Sequence, residues 1–458
     1  MPERVVVAVM MAVACRAPPE RPASTCLVTT QRLVLAANLD DDDRNGRIDG
    51  LEEPPSPADD DVQVLPVAGD CLLRVDGAPA GEVRLWKRLD GGGADRVDVV
   101  RGRSPSWNGV ATISARGDGG TIILEAPPIL LRHPNEPIRE VWVADVTDSA
   151  FGATHDFTLH LEAALPKPVT VRRLPGDVAR ADRWVQDAFQ SASMNGRSVV
   201  VRLPRGGPTR GLALLSHGAG LPPEVGTVAT GVVGDSRFDF GGNVEVLSPF
   251  DGFPNGRLII GGPLDGQPDP VSAGLLAWFD AQRAQGPAIR VPTTWLVSGH
   301  VDDVMMPLPS TPGTVRVALA STTAGLEAVK GTAPKEWKTR AFFEFNRRCQ
   351  ANLDTAEALL RTAVAPATLE IIRLPVLFGE RTSEEGRLAT PVVPNPVNAL
   401  VVNDTVVVGA PDAGSAGLAL QATADGVFRA AGFTPRWVDV SAYAGRGGSV
   451  HCAVEAIR

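Results

Sequence analysis

The sequence predicts an α+β multidomain protein: an all-β sandwich followed by a larger α/β domain. Three observations carry this. The chain of 458 residues is too long for one ordinary domain. From about residue 25 to 165 it reads as short alternating runs broken by Gly, Pro and Asp, the spacing of a sandwich. After a linker-like PKP at Pro166–Pro168 the texture changes, and strand patterns alternate with helical ones. With 44% apolar and 21% charged residues, the chain can bury substantial cores.

Taken in order, residues 1–24 form a segment of their own. MPER leads into an apolar run from Val5 to Ala14 and then Cys15. A basic start, an apolar core and small residues before the break fit an export signal. Cys15 resembles a bacterial lipoprotein attachment site, which implies a membrane tether through RAPPERPAS and an extracytoplasmic location. A mis-assigned start or a buried first strand is the alternative. Cys26 and Cys71 are then candidates for a disulfide, because export meets an oxidising compartment.

Within 25–165 the predicted strands are QRLVLAAN, DVQVLPV, CLLRVDG, GEVRLWKRL, GTIILEAP, REVWVADV and HDFTLHLEA. Within 166–458 they are VTVRRLP, RSVVVRLP, GRLIIGG, AIRVPTTWL, TVRVALAS, TLEIIRLP, ALVVNDTVVVG and RWVDVSA. Helices are predicted over Asp177–Ser193, Val271–Gln285, Lys335–Val364 and Gly414–Ala431. Periodicity leaves the topology of this α/β domain open, and no repeat is evident. Beyond the amino terminus no apolar run approaches the roughly 18 residues of a membrane span.

The net charge of −9 comes from one place. Residues 40–61 hold ten acids against Arg44 and Arg47, and the remainder is close to neutral, so no nucleic-acid surface is expected. Asp41, Asp43, Asn45 and Asp49, with Gly46, Ile48 and Glu52, match the EF-hand calcium loop of about twelve residues. A strand-like run precedes this stretch and Pro54-Pro55 follows, so a calcium loop between strands is expected rather than a helix pair. The six histidines are scattered with no zinc pattern.

The chemistry is concentrated in four segments: Trp184-Val185-Gln186-Asp187, Phe240-Gly241-Gly242-Asn243-Val244-Glu245-Val246, Gly299-His300-Val301-Asp302 and Val450-His451-Cys452. Two acids, a histidine and a cysteine are what a site needs to grip a guanidinium and attack its carbon. The planar cation calls for carboxylates accepting paired hydrogen bonds, and its poorly electrophilic carbon for a thiolate and an acid to protonate the leaving nitrogen.

In order and spacing these segments, with PNPVNALVVN between the last two, resemble the catalytic domain of the peptidylarginine deiminases. The likeness covers roughly 165–458 and more loosely 25–165. It implies a short form lacking the animal enzymes' first domain, with an immunoglobulin-like sandwich followed by a five-bladed α/β propeller. It implies Cys452 as nucleophile, although a cysteine in an apolar strand is more often inert, and His300 as general acid and base. Asp187 and Asp302 are then guanidinium ligands that stay ionised beside the cation. Arg183, Trp184, Arg210 and Arg446 are implied substrate contacts, the arginines suited to holding peptide carbonyls. The expected substrate is therefore arginine within a polypeptide.

The family's middle-domain calcium pattern lands on Asn38, Asp40, Asp42, Asp49, Asp59 and Asp61, in competition with the EF-hand register. A further family calcium site matches Gln186, Glu245 and the carbonyls near Gly241 and Val244, but Gln190 stands where the family has a glutamate. Ala188 stands where a second site needs an acid. The alternatives are a deiminase or amidinotransferase acting on free arginine or agmatine, and an exported calcium-binding protein that only binds arginine-rich segments. A cytoplasmic location, as in animal relatives, is the alternative to export.

Overall fold

The computed structural model describes residues 27–458 except 36, 38, 50–62, 66, 69–70, 80–81, 90–94, 102–108, 116–119, 148–151, 177–178, 180–181, 206–214, 233–235, 385 and 412–413. The export segment, Cys26, Asn38, Glu52, Asp59, Asp61 and Arg210 therefore lie outside the described residues. Cys71 is disulfide-bonded. Among the described residues no helix is long and apolar enough to cross a membrane. The fold is mixed α and β.

The first unit is built from β-strands whose alternation buries one face. In one sheet the strands run Gln31–Val34, Thr121–Glu125, Val110–Ala115 and Leu73–Asp76. In another they run Gln63–Val64, Asp95–Arg101 and Val83–Leu89. Ala111, Ile113, Ile122 and Leu124 are fully buried and alternate with more exposed neighbours, the period of two that a one-sided strand dictates. With Val28, Leu35 and Leu65 they form this unit's core.

The second unit repeats one rule in five sheets. A middle strand pairs antiparallel with one neighbour and parallel with the other. In the first sheet Arg197–Arg202 lies antiparallel to Phe189–Met194 and parallel to Gly226–Ala229. The second has Arg257–Gly262 between Val244–Leu247 and Ile289–Pro292. In the third, Thr314–Ser321 lies between Met305–Leu308 and Thr368–Pro375. Thr405–Ala410 is the middle strand of the fourth, between Leu400–Val402 and Thr434–Asp439. In the fifth, Glu140–Ala144 pairs with Thr170–Leu174 and with Val454–Ile457, so the last strand returns beside one from far upstream.

Parallel neighbours need a crossover, and helices supply it in four sheets: His155–Ala164, Ala273–Gln282, Arg340–Val364 and Gly414–Ala430. The longest, Arg340–Val364, is capped by the Thr339 hydroxyl. It buries Phe345, Cys349, Leu353, Ala356, Leu360 and Val364, the three-to-four spacing of a helix with one apolar stripe.

Three expectations are corrected. Residues 129–165 do not belong with the sandwich. Ile129–Leu131 extends the first sheet, and Glu140–Ala144 is the middle of the fifth, buried from Val141 to Ala144. HDFTLHLEA forms the helix His155–Ala164, because Phe157 and Leu161, four apart, pack on one side. The helix predicted over 177–193 does not continue to its end: Val185–Ala188 is a single turn, followed by the strand Phe189–Met194, while residues 177–178 and 180–181 lie outside the described residues. That strand is buried at every position, so it shows none of the alternation by which a strand is read.

The acidic loop also packs against the second unit. Leu39 sits in the core with Leu131, Val199 and Val228. Its carbonyl accepts from Thr227 N at 3.1 Å, and Asp41 N donates to Pro223 O at 2.9 Å. The loop thus lies in sequence between the strands Gln31–Val34 and Gln63–Val64 and also docks on the Gly226–Ala229 edge of the first of the five sheets.

Candidate active site

The turns that precede the antiparallel outer strands Phe189–Met194, Met305–Leu308 and Val454–Ile457 converge, and with the turn Gly241–Asn243 they bring all four motifs together. Asp187 comes from the turn Val185–Ala188, and Asp302 from Val301–Asp303, for which His300 is the preceding residue. Cys452 comes from the helical turn Val450–Ala453, not from the apolar strand expected; the strand starts only at Val454. All four side chains are buried, with Cys452 at 7% and Asp302 at 2% exposure, yet Asp187, His300 and Cys452 open onto one pocket of about 310 Å³.

Their geometry is that of a cluster awaiting a cation. The Cys452 thiol donates to Asp302 Oδ2 at 3.4 Å, and His451 Nδ1 lies 3.1 Å from the same oxygen. His300 Nδ1 lies 3.6 Å from Asp187 Oδ1 and 3.9 Å from Asp302 Oδ1, while its Nε2 bonds Arg237 O at 2.9 Å. Asp187 Oδ1 and Asp302 Oδ1 are buried without a hydrogen-bond partner, a costly state for a carboxylate. Gly242 makes the room: a Cβ there would stand 2.5 Å from His300 Nδ1, 3.0 Å from Asp302 Oδ2 and 3.1 Å from Asp187 Oδ1.

The electrostatics follow from burial and crowding. Burial first, then the charges of Asp302, Asp187 and Asp303, push the Cys452 thiol well above its usual range, opposed by the Asn398 amide. Burial also raises the Asp187 carboxyl, against the pull of His300 and Arg205, so it holds its proton more tightly than an ordinary aspartate. Asp303 is driven up to about 7 by burial and by Asp302, although Ser298 and Asn395 hydrogen-bond it.

Of the other predicted contacts, Trp184 lines the pocket wall. Its ring lies over Gly448, where a Cβ would come within 2.1 Å, and meets Tyr443 edge-on at 5.4 Å. Arg446 also lines the pocket. Arg183, expected to contact substrate, is buried, and its guanidinium donates to Ala442 O at 2.7 Å and Gly152 O at 3.1 Å, so it ties backbone segments together. Among the described acids, oxygens of Asp41, Asp43 and Asp49 gather within 4.8 Å of one another. Asp40 instead approaches Arg197 at 3.8 Å, and Asp42 donates its backbone N–H to Asp49 Oδ2 at 2.7 Å. Gln186 and Glu245 lie behind the site, in a smaller cavity shared with His451.

Two residues escaped sequence reasoning. Asn398 holds the cysteine from both sides: its Nδ2 donates to Sγ at 3.0 Å, and its Oδ1 accepts from Cys452 N at 3.2 Å. It sits in the PNPVNALVVN stretch, which carried the only signal for it. Arg205 pairs with Asp182 at 2.6 Å and with Asp187 Oδ2 at 2.9 Å, and lies over the Phe240 ring at 4.7 Å. It thereby occupies one oxygen of Asp187 and leaves the other toward the pocket. Nothing in its local sequence, a Pro-Arg-Gly-Gly loop, marks it.

The family model described as Protein-arginine deiminase (PAD) matches residues 119–347 and 337–458. Protein-arginine deiminase type-3 of Rattus norvegicus is 25% identical over 323 residues, 62% of this chain and 46% of that protein. The type-1 protein of Mus musculus is 28% identical over 222 residues, 45% of this chain and 32% of that one. The chain thus spans about half the length of the first of these relatives, and less of the other. Among solved structures, the C. jejuni agmatine deiminase aligns with a TM-score of 0.43 and 11% identity over 72% of this chain and 96% of that one. The match from residue 119 onward takes in every strand of the five repeated sheets and every residue of the thiol–carboxylate–imidazole cluster, and on it the chain belongs to the protein-arginine deiminase family.

Proposed function

We propose that the protein hydrolyses the guanidinium of arginine within a polypeptide, leaving citrulline and releasing ammonia. One observation carries this reading: two buried carboxylate oxygens, Asp187 Oδ1 and Asp302 Oδ1, lack partners beside a thiol and an imidazole. A guanidinium supplies the N–H donors they need in the plane they define, and its charge offsets the carboxylates that hold the thiol protonated. Binding therefore releases the thiol proton to solvent, with His300 protonated beside it, and the thiolate attacks the central carbon. The S–C bond forms, and the C–N bond breaks as His300 gives its proton to the departing nitrogen, which leaves as ammonia. Water then adds to the amidino-thioether as His300 takes up one of its protons. The C–S bond breaks, freeing the thiolate and the urea of citrulline, and the second water proton goes to solvent. Arg446, an exposed residue lining the pocket, has a fork of donors suited to peptide carbonyls, which supports a polypeptide substrate over free arginine.

The same reading takes the five sheets as blades of a five-bladed α/β propeller and the first unit as an immunoglobulin-like sandwich. The shared pairing rule and the return of Val454–Ile457 to Glu140–Ala144 support it. It also assigns calcium to the acidic loop, where Asp41, Asp43 and Asp49 offer the hard oxygen donors that ion prefers. The test is citrulline and ammonia release from an arginyl peptide and from free arginine, with Cys452→Ala as control. Turnover of the peptide, lost in the variant, is expected. A preference for free arginine or agmatine moves the protein to the small-molecule reading, and no release from any guanidine refutes catalysis.

A further inference from the structure

Behind the catalytic cluster, the oxygens that the family resemblance offers to a calcium ion are already hydrogen-bonded or ion-paired by this chain's own groups. Gln190 Nε2 donates to Gly241 O at 2.8 Å and to Val244 O at 3.2 Å. With its amide oriented to suit its neighbours, Gln186 presents its oxygen to the same nitrogen at 2.8 Å and donates its own nitrogen to Glu455 Oε2 at 2.6 Å. Glu245 Oε1 lies 3.4 Å from His451 Nε2, and Glu455 Oε1 accepts from Ser191 N at 2.6 Å. Arg132 and Arg458 stand in the wall of the same cavity. An amide nitrogen surrounded by three oxygens holds the place a cation would need, and two guanidiniums in the wall oppose a further positive charge there. This arrangement does not fit a calcium ion.

From this we infer that Gln190 is a positioning residue that replaces the metal, so that the catalytic cluster is assembled without calcium. The link to the chemistry is short. The carbonyls that Gln190 holds bracket the turn Gly241–Asn243. Gly242, in its middle, stands against His300, Asp302 and Asp187 closely enough that a methyl would collide with all three. Gln186, the third acceptor, directly precedes Asp187. A glutamate at 190 has no donor for these three oxygens and adds a fourth acceptor, a set that only a cation satisfies.

The experiment compares wild type, Gln190→Glu and Gln190→Met in the full chain, each in calcium chloride and in chelator. It rests on the proposed reaction only for its activity arm. Equilibrium dialysis with radioactive calcium is expected to find one more ion per chain in Gln190→Glu than in wild type, whatever the acidic loop binds. Citrulline formation by wild type is expected to be the same within twofold in calcium and chelator. Gln190→Glu is expected to lose tenfold or more in chelator and to regain it with calcium. Gln190→Met, which keeps the bulk and loses the donors, is expected to lose activity that calcium does not restore. A wild type that needs calcium for turnover, or equal calcium counts in wild type and Gln190→Glu, overturns the inference. If no form has activity, the proposed reaction fails while the calcium counts still decide the role of Gln190. If Gln190→Glu does not fold, a crystal structure of wild type grown in calcium decides. An ion between Gly241 O and Val244 O overturns the inference, and the Gln190 amide retained there supports it.

Discussion

Replacing Asp302 by asparagine should push two measurable quantities in opposite directions. Its carboxylate lies 3.4 Å from the Cys452 sulfur through Oδ2 and 3.9 Å from His300 Nδ1 through Oδ1. After burial, it is the largest influence holding the thiol above its usual range. Removing the charge therefore lowers the thiol's hold on its proton, and alkylation of Cys452 by the neutral reagent iodoacetamide should become faster at pH 7. Turnover should collapse, because a buried guanidinium loses one of its two carboxylates. Breaking a buried charge pair costs about 3–5 kcal/mol, which at about 1.4 kcal/mol per decade is roughly a 10²–10⁴-fold loss in kcat/KM. The assay is peptide citrullination beside mass-spectrometric alkylation of Cys452, with circular dichroism to confirm folding. Slower alkylation in the variant would falsify the electrostatic account of the thiol. A kcat/KM within tenfold of wild type would remove Asp302 from the guanidinium clamp.

Gly242→Ala should reduce kcat by at least tenfold while the protein stays folded, because its methyl meets His300 at 2.5 Å and both aspartates near 3 Å; unchanged steady-state kinetics would mean that the cluster is not the reacting site. Arg446→Ala should raise KM for an arginyl peptide much more than for agmatine, which has no peptide carbonyls, and an equal change for both argues against its peptide role. Stability should fall as pH rises from about 5 to 9. Burial drives Glu245 up to about 7 and Glu455 up to about 8, while at His451 burial is outweighed by Glu245 and Asp302, giving about 9. A folded pKa above the unfolded one stabilises fully below the unfolded value and is lost as pH climbs through the folded value. Differential scanning fluorimetry should therefore show a falling Tm across this window, shallower in Glu455→Gln, and a rising Tm refutes the assignment.

The sequence by itself determined the chemical identity of the site. The residue types alone specify a thiol, an imidazole and two carboxylates, and the short motifs around them mark which copies to bring together, although burial and neighbouring charges set how reactive each is. It also determined the helices Ala273–Gln282, Arg340–Val364 and Gly414–Ala430, whose stripes of buried residues repeat at helical spacing. What only the tertiary structure decided depended on contacts between distant segments. The strand Phe189–Met194 has no readable alternation because it is covered on both faces. Glu140–Ala144 reads as one more sandwich strand until Val454–Ile457 pairs with it from the other end of the chain. Arg183 and Arg205 are both arginines beside a motif or a glycine-rich loop, and their roles divide on what surrounds each guanidinium: backbone carbonyls for one, the carboxylates of Asp182 and Asp187 for the other. Gln190 differs from a glutamate by a single amide, yet only the fold shows that amide placed among three oxygens, because hydrogen-bond partners are set by three-dimensional proximity and not by sequence neighbours.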